Sequence, residues 1–448
     1  MTSVTYLLGV LAVIVLVGVS IALHELGHLI PAKRFDVKCT KYMIGFGPTI
    51  WSRTRGETEY GIKAIPLGGY VKMIGMIPPK PGDNPALLRA STTGRMSIVE
   101  QARAEAVDEV QPGDEDKVFY KLSVPKKVVV MLGGPFMNLV LAVVLLTALV
   151  SGIGVPTLVP IVSTVAQCVP STAPTVTKPE PACVVGDAVP PAVVAGLRAG
   201  DRIVAVDGQP VTLWSEVTTK IRAAAGRSLS LTVERAGEQL TLTAPIVGIA
   251  RTAYTPEGKP KTTVDGALVT DTVGYLGATA SRDYVAQPVS RVPELLGSML
   301  GTVVTALGTF PAKLVGVAQS LVGGGDRDPE GPVSVVGIGR AGGEIASGQL
   351  GGDGPKGVIY QFLWLVFGLN LMLFFFNLLP VLPLDGGQVV GALWEGIKRT
   401  GARLLGRPDP GYVDVAKGLP IAYAVSTVLI AMTLMLVVAD LVKPISLG

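Results

Sequence analysis

The sequence has few charged residues, few cysteines and almost no histidine. Charged residues make up 16% of its 448 residues, against the roughly 25% of an ordinary soluble domain, while hydrophobic residues make up 49%. This composition excludes a disordered chain and a simple cytosolic enzyme. The formal net charge of +4 comes from scattered basic residues, so no nucleic acid is expected as a partner. With three cysteines, a cysteine-based zinc cluster and a disulfide-rich scaffold are excluded as well.

Long uncharged runs dominate the sequence instead. The runs that are long enough to cross a bilayer comprise residues 1–23, 128–150, 357–384 and 418–439. The first run is too long for a signal peptide, and no basic residue precedes Lys33. A weaker run over residues 295–312 is rich in Gly and Thr, and we expect it to lie on the membrane surface or to be re-entrant. The fold class is therefore predicted to be a polytopic α-helical membrane protein with about four transmembrane helices.

Basic residues near the ends of these runs predict the orientation. With four spans, the basic segments around residues 33–41, 121–127 and 398–417 all fall on one side, which is expected to be the cytosol. Both termini and residues 152–356 are then extracytoplasmic. A fifth full span at residues 295–312 would instead place the last basic loop outside.

The large outer segment has the pattern of a small β-rich domain. Residues 152–275 contain short alternating runs such as SLSLTVER, which are typical of strands. Within them, AGLRAGDRIVAVDGQPV at residues 195–211 resembles the signature of bacterial PDZ domains, which bind extended peptide ends by strand addition. The alternative is a generic β domain that binds no ligand.

The cysteines of this outer segment flank a stretch rich in Pro and Thr. We expect a disulfide between Cys168 and Cys183, because an extracytoplasmic compartment is oxidising. The alternative is two unpaired thiols. Cys39 has no partner in this scheme and is interpreted as structural.

Both histidines of the chain occur in the motif HELGH at the inner end of the first run. On a helix, His24 and His28 share one face, so that they suit two ligands of one zinc ion. Glu25 is then placed to serve as a base toward water. The alternative is two interfacial histidines with a snorkelling glutamate. It puts three polar groups beside an apolar span, and the free-energy cost of an ionisable residue at mid-bilayer is about 2.5–3.5 kcal/mol.

A catalytic zinc site needs a third protein ligand, and no third histidine exists. The third run goes from outside to inside and ends in a segment from Asn377 to Asp385, broken by Pro380 and Pro383. Asp385 is the first charge after that run, at the membrane depth of His24, and is therefore the predicted third ligand. The alternative is that Asp385 only marks the membrane exit.

These motifs together resemble the site-2 protease family of intramembrane zinc metalloproteases, in the bacterial branch that cleaves membrane-bound anti-sigma factors. The resemblance rests on HELGH, the PDZ-like insert and the pattern Asn-x-x-Pro-x-x-Pro-Leu-Asp-Gly. It implies one zinc ion per chain held by His24, His28 and Asp385, with Glu25 as the catalytic base. It also implies that Asn377 lies near the substrate or supports the site.

Two further segments extend the resemblance. Residues 60–76 are similar to the membrane-associated β-hairpin of the family, with its turn expected at Gly68 and Gly69 and an edge strand that takes up unwound substrate. The segment GPFMN, which ends at Asn138, is similar to a Gly-x-x-x-Asn motif before the second span. Gly68, Gly69 and Asn138 are accordingly expected, with Asn377, to contact the substrate.

The expected organisation follows in chain order. It comprises a first transmembrane helix with HELGH and the hairpin (1–76), a flexible cytoplasmic insertion with one short helix (77–124), a second transmembrane helix (125–151), an extracytoplasmic PDZ domain (152–275), an amphipathic or re-entrant segment (276–356), a third transmembrane helix (357–390), and a cytoplasmic loop with a fourth transmembrane helix (391–448).

The resemblance implies regulated intramembrane proteolysis at the bacterial inner membrane. The expected substrates are single-pass proteins such as anti-sigma factors that a site-1 protease has already cut, and the PDZ domain would take a peptide ligand. Two alternatives are a membrane scaffold or receptor with a structural metal site, and a secondary transporter. A structural site would not need Glu25, and no internal repeat of the kind found in transporters is visible.

Overall fold

The computed structural model describes residues 2–79, 98–169, 183, 186–253, 261, 269–323, 325–350 and 354–445. The chain divides into two compact units. The first unit consists of Met1–Ile153 and Gln287–Gly448, and the second of Gly154–Ala286.

Helices form most of the first unit, and strands form most of the second. In chain order, the helices are α1 (Thr2–Arg34), α2 (Ile98–Asp108), α3 (Val124–Thr147), α4 (Pro191–Val194), α5 (Trp214–Arg222), α6 (Val292–Gly323), α7 (Val335–Ser347), α8 (Gly354–Leu378), α9 (Asp385–Leu404) and α10 (Leu419–Val442). The strands are β1 (Cys39–Arg55), β2 (Thr58–Met73), β3 (Val155–Val165), β4 (Arg202–Val206), β5 (Gln209–Pro210), β6 (Ser228–Arg235), β7 (Glu238–Pro245), β8 (Val247–Thr252), β9 (Thr270–Tyr275) and β10 (Ala278–Val285).

Five segments of the described chain are long and apolar enough to cross a membrane. They are Ser3–Arg34, Val124–Ile153, Val289–Gly323, Gly354–Leu378 and Val415–Val442. Four of them match the four expected spans. The additional segment contains α6, a continuous helix where a surface-lying or re-entrant segment was expected.

Contacts locate the two ends of α6 within the first unit. Just before α6, the backbone N–H of Gln287 donates to the carbonyl of Val150 at the end of the α3 segment. At the other end, the Lys443 ammonium, just after α10, donates to the carbonyl of Ser320. The ends of α6 therefore lie beside the carboxyl ends of α3 and α10.

The carboxyl ends of α3 and α10 both lie toward the amino end of α1. α3 runs antiparallel to α1, because Asn138 contacts His24 while the earlier Val130 contacts His28. α10 ends beside α7, because Asp440 accepts from the Ser334 backbone N–H at the start of α7. Gly342 of α7 in turn packs against Gly9 in the first half of α1. Both ends of α6 are consequently at one end of the helix bundle.

Glycines allow α1 and α3 to cross in direct backbone contact. A Cβ placed on Gly27 would lie 2.2 Å from the Gly133 carbonyl oxygen, and one placed on Gly133 would lie 2.0 Å from that of Gly27. No side chain fits at either position, so the crossing depends on both residues having none. The glycine of the HELGH motif is thus explained by packing.

The long strands β1 and β2 each reverse direction once along their length. Their four halves pair side by side in one sheet. Tyr42 of β1 is opposite both Val71 and Tyr60 of β2, so the first part of β1 has a segment of β2 on each side. The turn that joins β1 to β2 lies at Gly56.

A second reversal lies within β2, because Ile65 is opposite Phe46 whereas Gly69 is opposite the earlier Ile44. This reversal confirms the predicted turn at Gly68 and Gly69. Gly68, with φ of +89°, bends β2 so that its last residues return along β1.

The second unit contains a sheet of six strands, with β10, β3, β4, β6 and β7 in spatial order and β5 paired with β4. The strands β8 and β9 form a separate pair. The core of the unit is aliphatic and includes Ile203, Leu231 and Val233. The unit extends past residue 275 to Ala286, because β10 pairs antiparallel with β3 along its whole length.

A disulfide joins Cys168 and Cys183 in this unit, which confirms the predicted pairing. The Pro- and Thr-rich stretch between them lies outside the described residues, except for its flanks. Cys39 is a buried free thiol in the first unit, where burial raises its pKa to about 11. Such a thiol is inert at neutral pH, in agreement with a structural role.

Candidate active site

One face of α1 and the start of α9 bring together two imidazoles and a carboxylate. The Nε2 atoms of His24 and His28 are 3.3 Å apart. Asp385 Oδ2 lies 3.5 Å from His24 Nε2 and 3.4 Å from His28 Nε2. Over the described residues, these ligand atoms all lie within 4.8 Å of one another. The three side chains that the sequence singles out as metal ligands therefore converge on one point.

Two glycines after Asp385 place its carboxylate. α8 ends at Leu378, and the connecting loop turns back against the first turn of α9. A Cβ on Gly386 would lie 2.4 Å from the Leu379 carbonyl oxygen, and one on Gly387 would lie 2.7 Å from the Leu382 nitrogen. The loop packs this tightly because both positions lack side chains, which holds Asp385 at the amino end of α9.

The cluster has the features of a cation site. Asp385 Oδ2 is buried and accepts no hydrogen bond within the described residues, although it faces two imidazole nitrogens. A buried carboxylate oxygen without a donor is costly unless a cation satisfies it. On the opposite side, a Cβ at Gly134 of α3 would lie 2.2 Å from His28 Nε2, so only glycine leaves this space open. The donor set of two histidines and one aspartate fits zinc.

Each imidazole is oriented by a second contact from α3. His28 Nδ1 lies 2.8 Å from the carbonyl oxygen of Val130, to which it donates, so Nε2 keeps its lone pair for a metal. His24 Nδ1 lies 3.0 Å from the side-chain amide of the fully buried Asn138. Asn138 Oδ1 otherwise has no partner, and turning the amide by 180° lets this oxygen accept from His24 Nδ1–H. Both histidines then present Nε2 to the same point.

Glu25 is buried beside the two imidazoles, against the returning part of β2. A Cβ on Gly69 would lie 2.9 Å from Glu25 Cγ, so β2 reaches the glutamate only because residue 69 is glycine. The Val71 backbone N–H also faces the Glu25 carboxylate. The Tyr42 hydroxyl, which donates to the Ala22 carbonyl over 2.6 Å, attaches the sheet to α1 just before His24.

The other residues expected to contact substrate lie in different places. Asn377 is on the last turn of α8, half-buried, and no described hydrogen bond joins it to the three ligand side chains. Gly68 lies under the Phe46 ring, where a Cβ would be 2.7 Å from a ring carbon. Asn138 contacts His24 rather than open space. Of the four, Gly69 and Asn138 adjoin the site directly.

A buried ion pair that sequence reasoning missed connects α3 to α9. The Lys127 ammonium lies 2.8 and 2.9 Å from the two carboxylate oxygens of Glu395, and both side chains are buried. The Val413 backbone N–H donates to the same carboxylate over 3.1 Å. This pair fixes α9, the helix that begins at Asp385. The signal in the sequence is a lysine at the edge of an apolar run, which alone does not indicate its partner.

Comparison with known proteins agrees with this geometry. The model of peptidase family M50 matches residues 12–404. The zinc metalloprotease Rip1 of Mycobacterium tuberculosis is 33% identical over 449 residues, covering 99% of each chain. Rip1 of Mycolicibacterium smegmatis is 31% identical over 98% of each chain. The zinc metalloprotease RasP of Geobacillus kaustophilus is 27% identical, over 87% of this chain and 90% of its own.

A bundle of membrane-length helices that gathers His-Glu-x-x-His and a distant aspartate defines a membrane zinc metalloprotease. The chain belongs to peptidase family M50, the site-2 proteases. The resemblance inferred from the sequence is thereby confirmed, and so are the enzyme class and zinc as its cofactor.

Proposed function

We propose that this enzyme hydrolyses peptide bonds within the transmembrane segments of single-pass membrane proteins. The observation that carries the proposal is the convergence of His24, His28 and Asp385 inside a bundle of membrane-length helices. These three residues would hold the zinc ion. When bound, zinc supplies Lewis-acid polarisation of a carbonyl and lowers the pKa of water.

Glu25 acts as the general base in this proposal. Its carboxylate takes a proton from the attacking water and passes it to the leaving amine. The neighbouring Gly69 leaves room for the side chain to remain beside the imidazoles. Asn138 acts as a positioning residue for His24 rather than as a substrate contact, because its amide is buried on the imidazole.

The free edge of β2 would hold the substrate. A transmembrane helix has its backbone hydrogen bonds satisfied internally, so it must unwind before water can reach a peptide bond. Unwinding leaves N–H and C=O groups that an edge strand can pair by strand addition. The edge at Val71 is turned to Glu25, so a strand added there would lie beside the base. Gly68 and Gly69 shape this edge, and Asn377 is assigned to the substrate as a further contact.

The proposed topology puts the site near the cytoplasmic face of a bacterial inner membrane. Both termini and the second unit are extracytoplasmic in this scheme, and α6 does not cross. The contacts of Gln287 with Val150 and of Lys443 with Ser320 support it, since both ends of α6 lie at one end of the bundle. The second unit is assigned as a PDZ domain that admits substrates, such as anti-sigma factors, whose outer part has been trimmed.

The test uses purified full-length protein with a single-pass model substrate. Wild type is compared with Glu25→Gln and Asp385→Ala for zinc content and for cleavage. We expect about one zinc ion in wild type and in Glu25→Gln, but cleavage only in wild type. Asp385→Ala is expected to lose both, because two imidazoles alone do not hold the metal. Cleavage by Glu25→Gln at the wild-type rate would contradict the role of Glu25, and no cleavage by zinc-loaded wild type would contradict the function.

A further inference from the structure

A groove runs along the free edge of β2, with helix α2 as its second wall. Its cavity has a volume of about 320 Å³ and lies entirely within the first unit. The strand side is formed by residues 70–73, followed by Met76 and Ile77. The helix side is formed by Ala102, Glu105, Ala106 and Glu109. A strand edge facing a helix is the arrangement that takes an extended peptide by strand addition.

The groove adjoins the active site. Its strand wall begins at Tyr70 and Val71, directly after Gly69, where a Cβ would lie 2.9 Å from Glu25 Cγ. From there the edge runs to Met73, which pairs with Cys39 just beyond the carboxyl end of α1. At about 3.3 Å per residue, the edge from Val71 to Met73 extends about 7 Å away from the base, and Met76 and Ile77 continue the groove wall beyond it. A peptide on this edge would reach from the scissile bond toward the end of α1.

Helix α2 is held in place from both sides. The buried Arg103 guanidinium lies 2.5 Å from the carboxylate of Asp414, in the segment that leads to α10. Gly418, at the end of that segment, packs against Leu382 in the loop before Asp385. Across the groove, the Lys72 ammonium lies 2.7 Å from the Glu109 carboxylate. These contacts fix the distance between α2 and the strand edge. They also connect α2, through the segment before α10, to the loop that precedes Asp385.

The charge of the groove indicates what it accepts. Glu109 is paired with Lys72, whereas Glu105 takes part in no ion pair within the described residues and accepts from the Gln101 amide over 3.3 Å. A carboxylate on the wall of a peptide groove favours a basic side chain in the peptide. Lys and Arg are enriched next to transmembrane segments on the cytoplasmic side, which is where the proposed topology puts this groove.

We propose that the groove between β2 and α2 binds the extended juxtamembrane segment of the substrate, and that Glu105 selects a Lys or Arg in it. The inference rests on the proposed function, because it extends the strand added at Val71. From the extent of this wall, which begins at Val71 and continues past Met73, the basic residue lies about two to four positions from the scissile bond on its cytoplasmic side. Glu105 is a specificity-determining residue in this scheme and takes no part in the chemistry.

The experiment is a charge exchange between enzyme and substrate, with the full chain in lipid nanodiscs. Model single-pass substrates carry either Lys or Glu at one of these positions, and kcat/KM is measured for each. Wild type is expected to prefer the Lys substrate by about two- to fivefold, the range of one exposed ion pair. Glu105→Lys is expected to reverse the preference, and Glu105→Gln to abolish it. Glu100→Lys makes the same charge change on α2 outside the groove and should behave as wild type.

The outcomes separate this inference from the function on which it rests. If wild type cleaves both substrates and Glu105→Lys has the same preference, the proposed role of the groove is overturned. The proposed protease activity then still stands. A preference that Glu100→Lys also reverses overturns the role of the groove too, because a general surface charge then suffices. If zinc-loaded wild type cleaves neither substrate, the proposed function fails and the inference fails with it. Zinc content and thermal midpoint are compared for every variant, so that loss of folding is recognised.

Discussion

The side-chain amide of Asn138 lies 3.0 Å from Nδ1 of His24 and is wholly buried there. We expect Asn138→Ala to weaken zinc binding by about 10- to 100-fold, because the imidazole loses the partner that sets its tautomer. A competition titration with a chromophoric chelator measures the affinity. Asn138→Asp is the control, since a carboxylate can also accept from Nδ1–H, and it should bind zinc more tightly than the alanine variant. Equal zinc affinities for wild type and Asn138→Ala would contradict the role of Asn138 in orienting His24.

Gly134 is predicted to be needed for metal binding rather than for folding, because a Cβ there would lie 2.2 Å from His28 Nε2, a side-chain atom that can shift away. We expect Gly134→Ala to fold but to bind little zinc, since the methyl group displaces the ligand nitrogen. Gly18→Ala on α1 is the matched control, as nothing lies within 4 Å of a Cβ at that position. Zinc content after purification and the thermal midpoint are compared for both variants. A Gly134→Ala protein with a full complement of zinc would contradict the geometry of the site.

The second unit is predicted to lose stability in acid through Asp201. Arg235 lies 2.7 Å from this buried carboxylate and holds its pKa below the ordinary value of 3.8. The stabilisation is therefore fully present above about pH 3.8 and is lost as pH falls through the lower folded pKa. Hydrogen exchange of the β4 and β6 amides in the full chain measures it. Asp201→Asn should exchange faster than wild type at neutral pH, with a difference that shrinks in acid; a constant difference would contradict the linkage.

The topology is testable with single cysteines at exposed positions. Glu238→Cys in β7 is expected to react with a membrane-impermeant maleimide added outside intact cells, whereas Thr400→Cys in α9 is not. The reason is that α9 lies at the end of the bundle opposite to both ends of α6. Labelling after lysis shows that each thiol can react. Reaction of Thr400→Cys in intact cells would mean that α6 crosses the membrane and that five spans exist.

Local chemistry allowed most of the metal site to be predicted from the sequence. The spacing of His24 and His28 is a property of any helix, and Asp385 followed from a zinc site that lacked one ligand. The disulfide followed from two cysteines around a Pro- and Thr-rich stretch. Each of these inferences needed only the chain and one physical rule.

The remaining features depend on how distant segments pack. The glycines predicted the turn at Gly68 and Gly69, whereas the pairing of Tyr42 with two segments of β2 follows only from the packing of the whole sheet. The contact of Asn138 with His24 requires the crossing of α1 and α3, which neither helix encodes alone. Likewise, α6 has the length and composition of a span, and the contacts at its two ends separate the possibilities.

The glycine contact between α1 and α3 also limits where the protein can open. Gly27 and Gly133 leave no gap between the two backbones, so the helix that carries both histidines moves together with α3 as one rigid body. An incoming polypeptide cannot pass between these two helices. Lateral access from the lipid must therefore come from another side of the bundle. α6 is suited to that side, because apart from Val292, Val317 and Ser320 its described residues are not buried against the rest of the chain.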